Sequence, residues 1–267
     1  MARRRKRNKG AVPNPPKSLY KYCSIKSVDD NSGEPDYDLE NLEKSQIYFN
    51  DPSNFNDPFD CKYSVDREIS DRRFICEMKK RGWDVSQLTA DQIKQEIEKF
   101  KETVLSVENS IFDKHIHIGV TCLCERWDSL LLWGHYANKH TGFCLEFGTT
   151  LEPFNLAERV LYKQARPRPK LVDLINNESK FIKSTQDAIK VKSKNWSYEK
   201  EWRVLHTQPN KVYQLHRECL KSITLGLRVE KDAREKVIKT IANYPEIVIY
   251  ECYESKTSFS LNRRKIN

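Results

Sequence analysis

The run Ile116–Cys124 (IHIGVTCLC) is the strongest signal for a buried strand in this chain. Apolar and β-branched residues fill it, and no turn residue interrupts it after Gly119. Further strand-like runs lie at Leu19–Cys23, Gln46–Phe49, Gly142–Phe147, Arg159–Tyr162, Trp196–Leu205, Ser222–Leu227 and Ile247–Tyr250. Helical spacing is expected over Val65–Arg81 and over Leu88–Ser110. In the second of these Thr89 is a candidate cap, and Ile93, Ile97 and Phe100 form the inward stripe. Asp128 is placed to cap a helix through Leu130–Ala137. Two more helices are expected, Leu171–Lys192 with Leu174, Ile175, Ile182 and Ile189 inward, and Glu230–Asn243. Strands and helices mix without a regular βαβ rhythm. That pattern predicts an α+β fold with a mostly antiparallel sheet.

Charge separates the start of the chain from the rest. Of the formal net charge of +9, six positive charges sit on Arg3, Arg4, Arg5, Lys6, Arg7 and Lys9, leaving +3 for the remainder. Residues 1–17 therefore read as a disordered basic leader ending in a Pro-rich stretch, suited to contact nucleic acid or simply to solvation. Residues 18–267 read as a single α+β domain with a helical insertion near 65–110. The chain has only 8 glycines and no Gly-rich phosphate loop. Its 8 cysteines are irregularly spaced and lack a C-x-x-C pair, which predicts reduced, mostly buried thiols and a cytoplasmic setting. No segment approaches the roughly 18 apolar residues of a membrane span.

The densest chemistry is Tyr198-Glu199-Lys200-Glu201-Trp202-Arg203. Read as part of one strand, Glu199 and Glu201 share a face by period-two geometry. Two carboxylates so close call for a compensating cation, solvent, or a substrate that uses both. Three other stretches concentrate aromatic, amide and ionisable groups: Leu19-Tyr20-Lys21-Tyr22, Asn54–Asp60 and Trp133-Gly134-His135-Tyr136. Each has a plainer reading. Tyr20 and Tyr22 suit a core, the Asn/Asp/Pro run suits a rigid turn, His135 suits helix packing, and the two acids suit a solvated strand face.

Taken in order, L-Y-K-Y, I-Y-F-N-x-P-x-x-F-N-D-P-F-D, W-G-H-Y-A-x-x-H-x-G-F-C-L-E-F, V-L-Y and K-x-W-x-Y-E-x-E-W-R resemble a widespread bacterial domain-of-unknown-function family, often found near phage-defence genes. The resemblance runs from about Leu19 to Leu227. The opening strand, a short helix suggested by Leu39 and Leu42, and the I-Y-F strand are also similar to the start of ADP-ribosyltransferases, and Glu199-Lys-Glu201 has their E-x-E form. That similarity implies a split antiparallel sheet that grips NAD. It implies Glu201 on the nicotinamide-side ribose and at the positive charge that develops as nicotinamide leaves. It implies Glu199 orienting or deprotonating the acceptor, with His135 beside them. Tyr20, Lys21 or Tyr22 would meet the NAD phosphates or adenosine ribose, Tyr48 or Phe49 would stack on nicotinamide, and Arg203 would neutralise pyrophosphate. Asn56 and Asp57 would line the same cleft.

The expected function is an NAD-using ADP-ribosyltransferase-like enzyme, a toxin or phage-defence effector. Its acceptor would be a nucleic acid or a protein, and a defence-system protein would be its partner. Two other classes stay open. Asp57, Asp60, His135, Glu199 and Glu201 have the hard ligands and base of a metal-dependent nuclease. The aromatic density equally suits a non-enzymatic module that senses a nucleotide or a phage protein.

Overall fold

The computed structural model describes residues 13–26, 35–115, 118–170, 173 and 178–266. The basic residues 3–9, the first two residues of the Ile116–Cys124 run, and Leu174 and Ile175 lie outside them. The chain divides into two compact units, one of residues 1–50, 119–160 and 197–267, the other of residues 51–118 and 161–196. The fold is α+β with a mostly antiparallel sheet.

The first unit is built on one eight-stranded sheet. Its strands are β1 (Ser18–Cys23), β3 (Gly119–Cys124), β4 (Phe143–Gly148), β5 (Glu158–Arg159), β8 (Glu201–His206), β10 (Leu220–Leu225), β11 (Val248–Glu254) and β12 (Leu261–Lys265). They lie in the order β12-β11-β10-β4-β1-β3-β8-β5. Every neighbouring pair is antiparallel except β10 and β11. A parallel pair needs a crossover, and the helix Lys231–Thr240 supplies it. A separate ribbon pairs β2 (Gln46–Phe49) with β9 (Lys211–Gln214).

The register decides what each face of the sheet carries. Tyr20 stands opposite both Cys124 and Glu146, Cys124 opposite Glu201, and Glu146 opposite Ser222. These five residues form one row across β8, β3, β1, β4 and β10 on a single face. The residues one step along each strand form the other face: Leu19, Leu123, Leu145, Phe147, Ile223 and Trp202, all buried in the main apolar core. Leu42 of helix α1 (Tyr37–Glu43) and Val237 of the crossover helix close over that core. On the mixed face the short helix α4 (Leu130–Tyr136) puts Leu132 and Trp133 against Tyr22, Cys124 and Cys144. The Trp133 ring has no exposed surface and meets Tyr22 edge-on at 5.1 Å. Burying a large apolar side chain this fully stabilises the fold by roughly 1.5–3 kcal/mol.

The second unit holds helices α2 (Asp71–Lys80) and α3 (Ala90–His115), packed through Phe74, Met78, Ile93 and Ile97. Thr89 and Gln92 cap the second helix reciprocally. The Gln92 amide N–H donates to the Thr89 hydroxyl at 3.3 Å, and the Thr89 N–H donates to Gln92 Oε1 at 2.8 Å. The helix Glu178–Ile189 turns Phe181, Thr185, Ala188 and Ile189 inward, and Ile182 is only half-buried. Two three-residue strands, β6 (Leu161–Lys163) and β7 (Val191–Ser193), pair in parallel.

Several sequence expectations need correction. The helix expected from Val65 starts at Asp71, where Ser70 caps it. Asp128 does not cap α4; Ser129 does, accepting from the Leu132 N–H, while Asp128 takes both prongs of Arg126 at 2.7 Å. The strand expected from Trp196 starts only at Glu201, because residues Lys194–Glu199 form a 3-10 turn. Strands β9 and β12 were not expected, and the helix expected to run to Lys192 ends at Ile189, with Val191–Ser193 forming a strand instead.

Candidate functional site

Glu199 and Glu201 are not consecutive teeth of one pleat. Lys200 between them is left-handed, with φ of 46°, so the chain turns a corner there. Glu199 ends the 3-10 turn and Glu201 opens β8, yet both carboxylates are buried, at 4% and 3% exposure. Both lie near Cys124, by a different route from the one spacing implied. The Tyr136 hydroxyl donates to Glu199 Oε1 at 2.7 Å. Arg203 Nε donates to Glu201 Oε1 at 2.6 Å. Cys124, opposite Glu201, lies close enough to both carboxylates to feel their charge. Burial pushes its thiol up to about 12, and Glu199 and Glu201 add to the shift.

Tyr20 links these acids to a second polar group on the same face. Burial, then the Glu146 charge beside it, raises its hydroxyl to about 12. The Ser222 hydroxyl donates to Glu146 Oε2 at 2.7 Å, and Arg263 Nη2 stands 3.5 Å from the same oxygen. Neighbouring strands are about 4.8 Å apart, so Glu201 and Tyr20 are about 10 Å apart along the row and Glu146 is one step further. Tyr22, two residues on from Tyr20, is a framework residue. Its hydroxyl donates to the Arg126 carbonyl at 3.0 Å, accepts from the Ser129 N–H at 3.2 Å, and is driven far up by burial. These bonds fix the loop 125–129 that leads into α4. The Trp133 indole N–H, which donates to the Trp127 carbonyl at 2.7 Å, fixes it further.

The remaining predicted residues divide clearly. His135 is exposed at the end of α4, with its ring 6.0 Å from that of Tyr136 and 6.4 Å from that of Tyr198. Arg203 has no exposed surface, so its guanidinium serves Glu201 in the interior and is not presented to an external pyrophosphate. Lys21 sits between Tyr20 and Tyr22 and belongs to the opposite face, in register with Leu145. Phe49 is buried against His206 in the apolar core, which removes it as a stacking surface. Tyr48 points the other way, exposed, its hydroxyl donating to Asn210 Oδ1 at 2.7 Å. Asn56, Asp57 and Asp60 belong to the second unit. There Asp57 Oδ1 accepts from the Phe59 N–H at 2.9 Å. Asp60 pairs with the buried Lys192 at 3.3 Å, and that ammonium lies over the Trp196 ring. Asn56 is exposed in the same turn.

Sequence reasoning missed Glu146, Cys124, Arg263 and the role of Tyr136. Glu146 was findable, since a lone carboxylate in the apolar run FCLEF is costly to bury without partners. Arg263 was not, because LNRRK has no apolar alternation to mark a strand. On the opposite face a small groove lies over Leu145, Phe147 and Ile241, with Arg217 stacked on Tyr244 at its rim. It shares no residue with the acid row. Among the described residues no three His, Cys, Asp or Glu side chains are grouped to hold a metal ion. No helix among them is long and apolar enough to cross a membrane.

Fold and site together define an α+β protein whose central sheet carries an acid–tyrosine row on one face. The family model described as "Protein of unknown function (DUF2971)" matches residues 132–204, the stretch that carries α4, Tyr136, Glu199, Glu201 and Arg203. No curated protein and no solved structure matches the chain.

Proposed function

We propose that the first unit is an ADP-ribosyltransferase-like enzyme that uses NAD. The observation that carries this reading is the row Glu201–Cys124–Tyr20, which sets a buried acid and the first-strand tyrosine on one face of the sheet. The residues suit the group. Buried carboxylates beside the rings of Tyr136, Tyr198 and His135 form the kind of surface that takes a flat cation such as the nicotinamide ring. When bound, NAD supplies a ribosyl carbon whose bond to nicotinamide breaks, the bonding electron pair leaving with nicotinamide.

In this reading Glu201 faces the positive charge that develops at the ribose, where fixed negative charge contributes most. Arg203 is a positioning residue that holds Glu201 in one rotamer. Glu199 takes the proton from the acceptor's nucleophile as the new bond to the ribosyl carbon forms, and then passes it to solvent. Tyr136 fixes the Glu199 oxygen that would do so. Tyr20, already raised, stays protonated and acts as a hydrogen-bond donor. A role as toxin or phage-defence effector, with a nucleic acid or protein as acceptor, extends the same reading.

The test is release of nicotinamide from labelled NAD by the purified full chain, with and without cell extract. Release that falls at least a hundredfold in Glu201→Gln and in Glu199→Gln is expected. No release under any condition sinks the reading. One observation favours a second reading, a binding module that senses a nucleotide: Glu201 is already paired with Arg203 at 2.6 Å. Saturable NAD binding without any turnover would select it.

A further inference from the structure

Arg263 sits in a cage. Its guanidinium carbon lies 4.1 Å from the centroid of the Tyr250 ring and 4.7 Å from that of Trp127. Nη1 donates to the Thr224 hydroxyl at 3.1 Å, and Nη2 stands 3.5 Å from Glu146 Oε2. The cage walls come from β4, β10, β11 and the loop after β3. The occupant comes from β12, which lies at the end of the sheet and is paired to β11 alone. Two aromatic faces, a carboxylate and a hydroxyl are the groups that recognise a guanidinium. An ammonium would gain less from them, because it lacks the planar fork.

An edge strand is the part of a sheet that an extended segment can replace most readily. The β12 side chains Leu261, Arg263 and Lys265 alternate, so Arg263 reaches the cage only when the strand is in its observed register. The turn joining β11 to β12 includes Phe259, which is fully exposed. We infer that the Glu146–Thr224–Trp127–Tyr250 cage is an arginine-recognition site, held in this structure by the chain's own Arg263 and open to an arginine on an extended, basic partner segment that displaces β12. This assignment is independent of the transfer chemistry, since it needs neither NAD nor Glu201.

The test uses the full chain with Arg263→Ala. Ethylguanidinium is expected to raise its melting temperature by about 2–4 °C, the scale of one restored contact in a chain of this size. The same salt should leave wild type unmoved, and the rescue should vanish in Arg263→Ala/Glu146→Gln. A synthetic peptide of sequence SFSLNRRKI, matching residues 258–266, should bind Arg263→Ala at least tenfold more tightly than wild type. Replacing the arginine that matches Arg263 in that peptide by alanine should remove the gain. Absence of rescue, or rescue that survives loss of Glu146, overturns the assignment. Should the alanine variant not fold, the peptide is added to wild type and amide exchange in β12 is followed. Faster exchange supports displacement, and unchanged exchange refutes it.

Discussion

Tyr136 donates a 2.7 Å hydrogen bond to Glu199, joining the end of α4 to the last residue of the 3-10 turn before β8. The bond links two stretches of the WGHYA and YEKEWR motifs that lie 63 residues apart. A hydrogen bond to a buried charged group contributes about 1.5–3 kcal/mol. Tyr136→Phe keeps the ring and removes only the donor. It should cost about 2 kcal/mol in urea unfolding with an unchanged slope. In the proposed enzyme it should lower kcat more than it raises KM. An unaltered unfolding midpoint would show that the bond contributes nothing net.

Arg203 and Glu201 form a wholly interior pair. Removing one partner strands the other charge, which typically costs about 3–5 kcal/mol. Arg203→Met should therefore be severely destabilised in thermal and chemical melts. The double variant Glu201→Met/Arg203→Met should be more stable than Arg203→Met alone, because no bare charge remains. A double variant no better than the single one would place the value of the pair in its shape and not in its charge.

Two glycines of the same motif should respond with opposite signs. A Cβ on Gly142 would stand 2.1 Å from the Cys23 carbonyl oxygen and 3.2 Å from Ala137 backbone atoms, and none of these can swing away. Gly142→Ala should cost about 1–3 kcal/mol, the usual penalty of overpacking. A Cβ on Gly134 meets nothing within 4 Å, and the residue is inside α4. Gly134→Ala should stabilise by about 0.5–1 kcal/mol through helix propensity. Paired urea melts check both.

Burial raises the thiols of Cys124 and Cys252 to about 12 and those of Cys23 and Cys144 well above their ordinary value. Cys76 is exposed. In the native protein at pH 8, Cys76 should react with a thiol reagent before any of these four. The sign of the pH effect follows from linkage. Between the ordinary thiol value of 9.0 and about 12 the unfolded chain loses protons that the native chain keeps. Stability from these groups is thus fully present below 9.0 and is lost as pH rises toward 12. Urea midpoints that stay flat from pH 8 to pH 11 would contradict this.

The fold class was legible because runs such as LYKYC and GFCLEF keep strand periodicity and sit between turn residues. The central position of β1 was not, since strand order depends on long-range pairing that no local pattern records. The acids and tyrosines of the row were legible as residue types, but their geometry was not. Lys200 carries no sequence mark of its left-handed backbone, so spacing alone put Glu199 on the wrong element. Arg203 looked like a free cation because its burial depends on the β3 and β5 strands beside it. Glu146 and Arg263 went unseen as a pair because they are 117 residues apart and meet only through β10 and β11.

The corner at Lys200 makes the middle letter of the E-x-E triplet a question of backbone handedness. Glycine or asparagine would hold that corner with less strain than lysine does. Valine or isoleucine would drive it toward an extended path, pulling Glu199 out of the 3-10 turn and away from the Tyr136 hydroxyl. The side chain at position 200 can then vary in charge and length at little cost, while its tolerance for a branched Cβ decides whether Glu199 stays within reach of α4.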